Sequence, residues 1–410
     1  MDQTLPRADG PETPTAIGTA AATGARPFSL APLMFETFTC TMAIMAFVAL
    51  VGPVAHTLSL QPWHIGVTVT AGGLTWIAAA RWWGGLSDRR GRRPVILAGL
   101  SGFALCYFLL CLFIDYALGT ALPAWLAFAG LVLGRGLVGL FYAAVPATAA
   151  ALVADHVEPA RRAGAMAAIG AASGAGMVLG PGFVGLLAPM GLSVPLYITA
   201  VMPVLALFAL WWILPRQEQR APATTAPPRL ADPRLRQSAL LAFVAAFSVT
   251  IAQVTVGFYA LDRLGLSAGA AAQAAGIALT VVGVALVISQ SVLRWLNWPP
   301  LRLIRAGASV AALGFVCAAF SSDSWSLWLC YGIAAAGMGW VYPSVSALAA
   351  NAVDAHEQGV AAGTVSAMQG LGAVAGPLAG TLIYSVSVGA PYLMIGILLL
   401  AAGWVTRSTP

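Results

Sequence analysis

Two charged side chains stand where charge is expensive. The chain has 20 basic and 14 acidic residues, and of these only Glu36 and Arg135 fall well inside long apolar stretches. An ionisable group within a hydrocarbon-spanning segment marks a proton, ion or substrate path by default. Glu36 has Thr37, Thr39, Cys40 and Thr41 close by. A partly desolvated carboxyl there is a candidate to take up and release a proton, the alternative being a wet structural carboxylate near the mouth of its span. Arg135 keeps its charge at any pH, and a guanidinium facing a cavity can hold an anion or tune a carboxyl. The alternative is a structural cation held by backbone carbonyls. In a helix, Gly139, Tyr142 and Pro146 share the Arg135 face.

The two charges are too far apart to pair. The first span centres near residue 43, and the fourth, running the opposite way, near 138. At 1.5 Å per residue Glu36 lies about 10 Å to one side of the midplane and Arg135 about 4 Å to the other, a gap of roughly 15 Å. Separate roles follow: the proton for Glu36, substrate or coupling for Arg135. The rest of the polar inventory is neutral. Gln253, Tyr259, Gln290, Tyr331, Tyr342, Ser366 and Gln369 lie in later spans. Gln253, Tyr342 and Gln369, with Tyr142, are the candidate cavity liners; ordinary helix–helix hydrogen bonds are the alternative role of the first three.

No nucleophile–base pair, nucleotide loop or metal constellation occurs, so no catalytic residue, metal or cofactor is expected. Cys40, Cys106, Cys111, Cys317 and Cys330 fall inside apolar spans without ligand spacing, and His56, His64, His156 and His356 fall at loops. Trp211, Trp212, Trp325 and Trp328 read as interfacial belts.

The elements that hold these residues are apolar helices. Hydrophobic residues make up 60% of the chain and charged residues 8%, against about 25% charged in a soluble domain. Spans are expected at about 29–57, 63–83, 94–114, 123–153, 163–187 and 193–214, then at 237–260, 270–293, 303–321, 325–350, 358–387 and 390–406. Residues 1–27 read as a disordered tail, 28–214 as a six-helix half, 215–236 as a Pro- and Arg-rich linker, and 237–410 as a second six-helix half. Every basic side chain is Arg, clustered in alternate loops: Arg89, Arg90, Arg92 and Arg93; Arg161 and Arg162; Arg216, Arg220, Arg229, Arg234 and Arg236; Arg294, Arg302 and Arg305. Arg263 alone stands in the opposite loops. This positive-inside pattern places the clusters and both termini in the cytoplasm, and it makes basic charge a mark of topology and not of nucleic-acid binding.

The halves repeat. Pro146 and Pro343 are 197 residues apart, Gly180-Pro181 and Gly376-Pro377 are 196 apart, and Asp155 and Asp354 each close the helix before them. Duplicated six-span halves place a substrate site between them near the midplane.

Between the second and third spans stands Gly84-Gly85-Leu86-Ser87-Asp88-Arg89-Arg90-Gly91-Arg92-Arg93-Pro94, which reads as a tight turn. It resembles the G-x-L-x-D-R-x-G-R-R signature of the major facilitator superfamily, and length, span count, linker and repeat agree. The resemblance implies an all-α membrane protein of twelve helices in two pseudo-symmetric bundles. It also implies a cytoplasmic latch between the halves, formed by Gly84, Asp88, Arg89, Gly91 and Arg92. The corresponding segment near Arg294 to Arg302 has lost its acid. In the fifth span Gly176, Gly180, Pro181 and Gly185 resemble the helix-bend motif of proton-linked antiporters in this superfamily, with Val184 where glycine is usual; close helix packing is the alternative reading. Leu131-x-x-x-Arg135-x-x-Val138-Gly139 resembles their fourth-helix motif, with Val138 replacing Gln.

The implied function is proton-coupled export of a small organic compound across a bacterial-type inner membrane by a monomer, its partners being the cargo, protons and the bilayer. Some such antiporters carry a deeper first-helix acid where this chain has Ile44 to Ala49, all apolar. That departure suits a neutral or anionic cargo, a siderophore-like metabolite more than a cationic drug. The alternative is an importer or uniporter of the same fold for a small anionic or neutral solute.

Overall fold

The computed structural model describes residues 28–120, 122–214, 232–293, 295, 298–354 and 357–405. The expected tail at 1–27, most of the linker (215–231) and Arg216, Arg220, Arg229, Arg294 and His356 lie outside the described residues. The rest is an all-helical membrane protein. The first half holds α1 (Ala31–Thr57), α2 (Pro62–Arg90), α3 (Arg92–Gly119), α4 (Ala124–Tyr142), α5 (Ala144–His156), α6 (Pro159–Leu187) and α7 (Val194–Ile213). The second holds α8 (Arg236–Asp262), α9 (Ala268–Leu293), α10 (Pro300–Ala318), α11 (Ser324–Asn351), α12 (Gln358–Tyr384) and α13 (Ala390–Val405). Together α4 and α5 make one span, so the spans number twelve, six to each half.

The fourth span divides at Ala143 because Pro146 donates no hydrogen bond to Tyr142 and crowds its carbonyl. Its repeat mate Pro343 leaves α11 continuous. Among the described residues, nine spans are long and apolar enough to cross a membrane unaided. The others are α13, with 16 residues, and α2 and α12. The last two pack on each other across the halves, so part of their surface meets protein and not lipid.

Helix α1 is the hub of the first half, with α6 and α7 against it. Across the halves, α6 meets α9, α2 meets α12, and α1 meets α8 and α9. The first two contacts are the same crossing, repeated by the pseudo-twofold. Glycine makes each of them possible. A Cβ on Gly276 would stand 2.6 Å from the Pro181 carbonyl, one on Gly66 2.9 Å from Leu378 Cα, and one on Gly52 3.0 Å from the Phe258 amide nitrogen. Each neighbour is backbone, which cannot swing aside. Gly185 packs on Gly276, and its repeat mate Thr381 packs on Gly66.

All these contacts lie on one side of the membrane. On the other, the arginine-rich side, Gly84 and Gly85 in α2, Gly164, Gly170 and Gly174 in α6, and Gly359 in α12 face open space. The halves therefore close against each other at the arginine-poor face and part toward the arginine-rich one.

Arginines at the open face also finish helices. Arg93 donates to the Trp211 and Leu214 carbonyls at the end of α7 (2.7 and 3.0 Å), and Arg162 donates to the Ala154 and Val157 carbonyls at the end of α5 (2.7 and 3.0 Å). Cations at helix C-termini complement the helix dipole. Three sequence expectations change. Helix α2 runs on to Arg90, so the turn after Gly84 shrinks to Gly91, whose φ of +90° favours glycine. Trp328 is half-buried and donates to the Ala274 carbonyl at 3.0 Å, so it is a packing residue, while Trp211, Trp212 and Trp325 are exposed as an interfacial belt requires. His64 is half-buried and exchanges capping bonds with Gln61.

Replacing Gly276 by Val tests the closed crossing. Overpacking of this kind costs about 1–3 kcal/mol, so it should shift the closed–open balance by roughly tenfold or more. In a background without native cysteines, maleimide labelling of a Thr280→Cys reporter, which sits against Gly182, should accelerate accordingly. Unchanged labelling would show that this crossing is not the seal.

Candidate functional site

Glu36 lies on a stripe of α1 formed by Leu33, Glu36, Cys40, Ala43 and Phe47, none more than 2% exposed. The alternating three- and four-residue spacing keeps them on one face. The opposite face carries Phe38, Met42 and Ala46, against which Gly176 and Gly180 of α6 lie backbone to backbone. The stripe turns toward α3: the Tyr107 hydroxyl donates to the Ala43 carbonyl at 2.7 Å and lies 3.2 Å from the Thr199 hydroxyl of α7. Glu36 itself is sealed, and neither carboxylate oxygen has a hydrogen-bond partner among the described residues. The sequence suggested partial desolvation; the bundle makes it complete.

Arg135 projects from α4 and is 8% exposed. Its guanidinium carbon lies 5.5 Å from the centre of the Phe47 ring. Its side chain runs along Gly72 of α2, where any Cβ would come within 3.0 Å of it. Gly139 and Gly72 face each other closely, and Thr75 donates to the Gly136 carbonyl at 2.8 Å. Its Nε has no partner among the described residues. Phe47 is eleven residues beyond Glu36, about 16 Å along α1. The phenol of half-buried Tyr142 stands within electrostatic reach of both charges, and that of Tyr107 within reach of Arg135. Tyr142 thus stands within reach of two charges that do not touch. Sequence reasoning singled out Tyr142 and placed Cys40 beside Glu36, but missed Tyr107 and Phe47. The i+4, i+7 and i+11 spacing from Glu36 would have found Cys40, Ala43 and Phe47.

The neutral candidates separate. Tyr342 and Gln369 line a cavity of about 420 Å³ with Gln290, Leu293, Pro343 and Ser346, all from the second half. Gln253 is half-buried in α8 and is not part of that lining. Tyr259 and Tyr331 are buried and donate to the Ser321 and Ala252 carbonyls, so they are structural.

In the latch motif, Arg92 bonds Asp88, Ser87 (3.2 Å) and Asp155 of α5 (3.1 Å). All lie in the first half. These bonds tie α2, α3 and α5 together. Burial opposes the charge on Arg92, but the bonds to Asp88 and Asp155 outweigh it and hold its proton more tightly than usual. In the second half Arg234 pairs with Asp232 (2.8 Å) and Glu357 (2.9 Å), a cation supplied from the linker end where the α9–α10 connection has no acid. In the glycine motif, Gly176 and Gly180 pack on α1, Gly185 packs on α9, and α6 passes through Pro181 as one helix.

A twelve-helix bundle pair with a buried acid and arginine in one half defines a membrane transporter fold. The chain matches the profile of the Major Facilitator Superfamily over residues 33–359 and 238–410, and it belongs to that family. It is 30% identical over 343 residues to the class C tetracycline resistance protein of Escherichia coli, covering 79% of this chain and 81% of that one. It is 24% identical over 386 residues to the quinolone resistance protein NorA of Staphylococcus aureus (strain COL), covering 89% and 92%. In fold it is similar to an inward-facing, occupied bacterial homologue of the human lysosomal transporter Spinster, with TM-score 0.66, 14% identity and coverage of 91% and 93%. It is also similar to the human organic anion transporter MFSD10, with TM-score 0.63, 19% identity and coverage of 92% and 98%.

Arg92→Ala leaves two carboxylates without their shared cation. The expected loss is roughly 1 kcal/mol, below the range for a charged hydrogen bond because water screens the Asp88 edge. Thermal unfolding of the purified protein in detergent should show a lower midpoint, with Arg92→Lys intermediate; an unchanged midpoint would deny the cluster a structural role.

Proposed function

We propose that this chain is a proton-coupled exporter of a small organic molecule, working by alternating access in the cytoplasmic membrane with its arginine-rich face inside. The orientation rests on the positive-inside rule. With that orientation the described conformation is closed to the outside and open to the cytoplasm, the state that collects cargo for export.

One observation carries the proton coupling: Glu36 is fully buried and its carboxyl has no hydrogen-bond partner among the described residues. A bare carboxylate in that position would be strongly disfavoured, so the carboxyl keeps a proton while sealed and gives it up when water reaches it. A group whose hydration changes with the conformation couples proton movement to the transport cycle. Arg135, wedged between Phe47 and Gly72, is the proposed coupling or substrate-binding cation, and Tyr142 the link between them. Export is favoured over import by the resemblance of the glycines around Pro181 to the antiporter motif and by relatives named for drug resistance. Those names favour a drug of the tetracycline or quinolone kind as cargo. A secreted polar metabolite such as a siderophore fits the same charge census, since no second acid lies deeper in α1.

Inverted vesicles test this. With an inward-acid gradient, wild-type protein should accumulate labelled tetracycline. Glu36→Gln should reduce accumulation to the level reached without a gradient, since an uncoupled carrier only equilibrates its cargo, while leaving energy-independent exchange intact. Gradient-driven accumulation retained by Glu36→Gln would remove Glu36 from the proton path. Arg135→Lys keeps the charge but not the planar fork; it should raise KM or uncouple transport without abolishing exchange.

A further inference from the structure

The two crossings that join the halves, α2 on α12 and α6 on α9, match residue by residue. Gly66, Thr70 and Gly73 of α2 recur 210 positions later as Gly276, Thr280 and Gly283 of α9. Their partners recur at the 196-residue spacing: Gly73 packs on Val374 and Gly283 on Val178. The side chains flanking the two crossings differ. Ala375 and Ala379 of α12 stand where α6 has Leu179 and Phe183, while Leu371 and Leu378 stand where it has Ala175 and Gly182. Along α12, therefore, alanines leave a hollow between leucines.

That hollow is a groove of about 410 Å³ beside the α2–α12 crossing. Leu74 of α2 and Leu371 and Leu382 of α12 are its exposed rims, and Val374 is buried at its base. Thr70 supplies the one polar side chain of the lining, and its hydroxyl donates across the halves to the Val374 carbonyl at 2.8 Å. The groove is thus continuous with the interface between the halves and offers a ligand almost nothing but apolar surface. Its lining residues and their chain neighbours are all among the described residues.

The groove also has the length of one leaflet. Leu371 and Leu382 are eleven residues apart, about 16 Å along α12. Leu382 lies two residues from the end of that helix at the arginine-poor face. The hydrocarbon of one leaflet is about 15 Å thick, half of the bilayer core. The groove therefore runs from the headgroup boundary to the midplane.

We propose that this groove binds one acyl chain of a phospholipid in the leaflet at the arginine-poor face, and that the chain wedges the halves closed there. A helix of a second copy, about 10 Å across, is too broad to enter between the leucine rims. A polar cargo would find no hydrogen-bond partner. An acyl chain lying in the groove meets protein on several sides, and dispersion contacts sum along its length. The walls belong to both halves, so the groove exists only while α2 and α12 stay packed. A ligand that fits one conformation alone stabilises that conformation. This role is the same whatever the cargo and whichever ion drives it.

Photo-crosslinking tests the site. Full-length protein is reconstituted in dioleoyl phosphatidylcholine vesicles doped with a phosphatidylcholine carrying a diazirine midway along one chain, and labelled residues are mapped by mass spectrometry. Label on Leu74 and Leu371 should exceed label on Leu179 and Val284 at the other crossing by about tenfold, since a chain held on several sides stays longer. Ala375→Leu and Ala379→Phe, which restore the side chains of α6, should each cut that label about tenfold for the same reason. Label on the exposed Leu105 and Leu109 of α3 should not change. Ala375 is exposed, so Leu there should keep the wild-type melting point. A second measurement tests the wedge, because methyl-branched diphytanoyl chains fit the groove poorly. Maleimide labelling of the Thr280→Cys reporter should be about threefold faster in diphytanoyl than in dioleoyl vesicles, a modest population shift. With Ala375→Leu the two rates should be equal. Equal crosslinking at both crossings, or unchanged label in the filled variants, would leave only annular lipid. Displacement of the label by tetracycline would make the occupant cargo, and disulfide formation between copies at Ala375→Cys would make it a second copy. The same response to branched chains with and without Ala375→Leu would remove the wedge. Each of these overturns the proposal. Neither measurement needs a proton gradient, so they and the Glu36 transport test fail independently.

Discussion

The constraint on which the molecule depends is that lipid offers helices nothing to gain from hiding apolar surface. Helices in a bilayer associate through close van der Waals contact, which small residues permit. Here the contact is backbone against backbone. Gly52 meets the Gly257–Phe258 backbone, Gly66 meets Leu378 and Gly185 meets Gly276. A methyl group at Gly52, Gly66 or Gly276 would collide with main chain, so the closed face is held by the absence of side chains. On the other side, Gly84 and Gly85 of α2, Gly164, Gly170 and Gly174 of α6 and Gly359 of α12 have no neighbour within 4 Å. Where the halves face each other, in α2, α6 and α12, the glycines thus pack at the arginine-poor side and stand open at the other, and an alternating-access protein needs both sets.

Within that frame the two halves have taken different work. The first half holds two charges in dry surroundings, one sealed behind a stripe of α1 and one wedged beside a phenylalanine and a glycine. The pair is separated by about three turns of helix, and Tyr142 and Tyr107 lie between. The second half answers with amides and phenols. Two of its buried tyrosines, Tyr259 and Tyr331, are committed to backbone carbonyls, while Gln290, Tyr342 and Gln369 line a cavity. Duplication supplied two copies of one framework; divergence gave one copy the charge and the other the hydrogen-bonding surface.

The same divergence shows at the open face. In the first half Arg92 joins the α2–α3 turn to the end of α5. In the second half the equivalent turn has no acid, and Arg234 from the linker side reaches Glu357 instead. The linker end is thus part of the second half's ion cluster. Likewise Pro146 breaks its span while Pro343 does not, although the repeat aligns them. A proline removes one donor wherever it stands; whether the helix parts there depends on what packs against it.

Much of this was legible from residue order alone. Apolar length and the arginine distribution reveal spans and grouping because the bilayer penalises any other arrangement. The 196- and 197-residue spacings reveal the duplication, and the rarity of charge within spans picks out Glu36 and Arg135. Rise per residue sets their separation, since a helix has one pitch. Other features belong to the tertiary structure. Which face of α1 a residue occupies follows from spacing, but that Tyr107 of α3 reaches the Ala43 carbonyl on that face is decided by the packing of the helices. Tyr342 and Gln369 line one cavity while Gln253 does not, because three helices from distant parts of the chain decide which amides converge. The reach of the Asp88–Arg92 cluster also depends on which face of the molecule is open, and no local sequence pattern encodes the relative placement of the two halves.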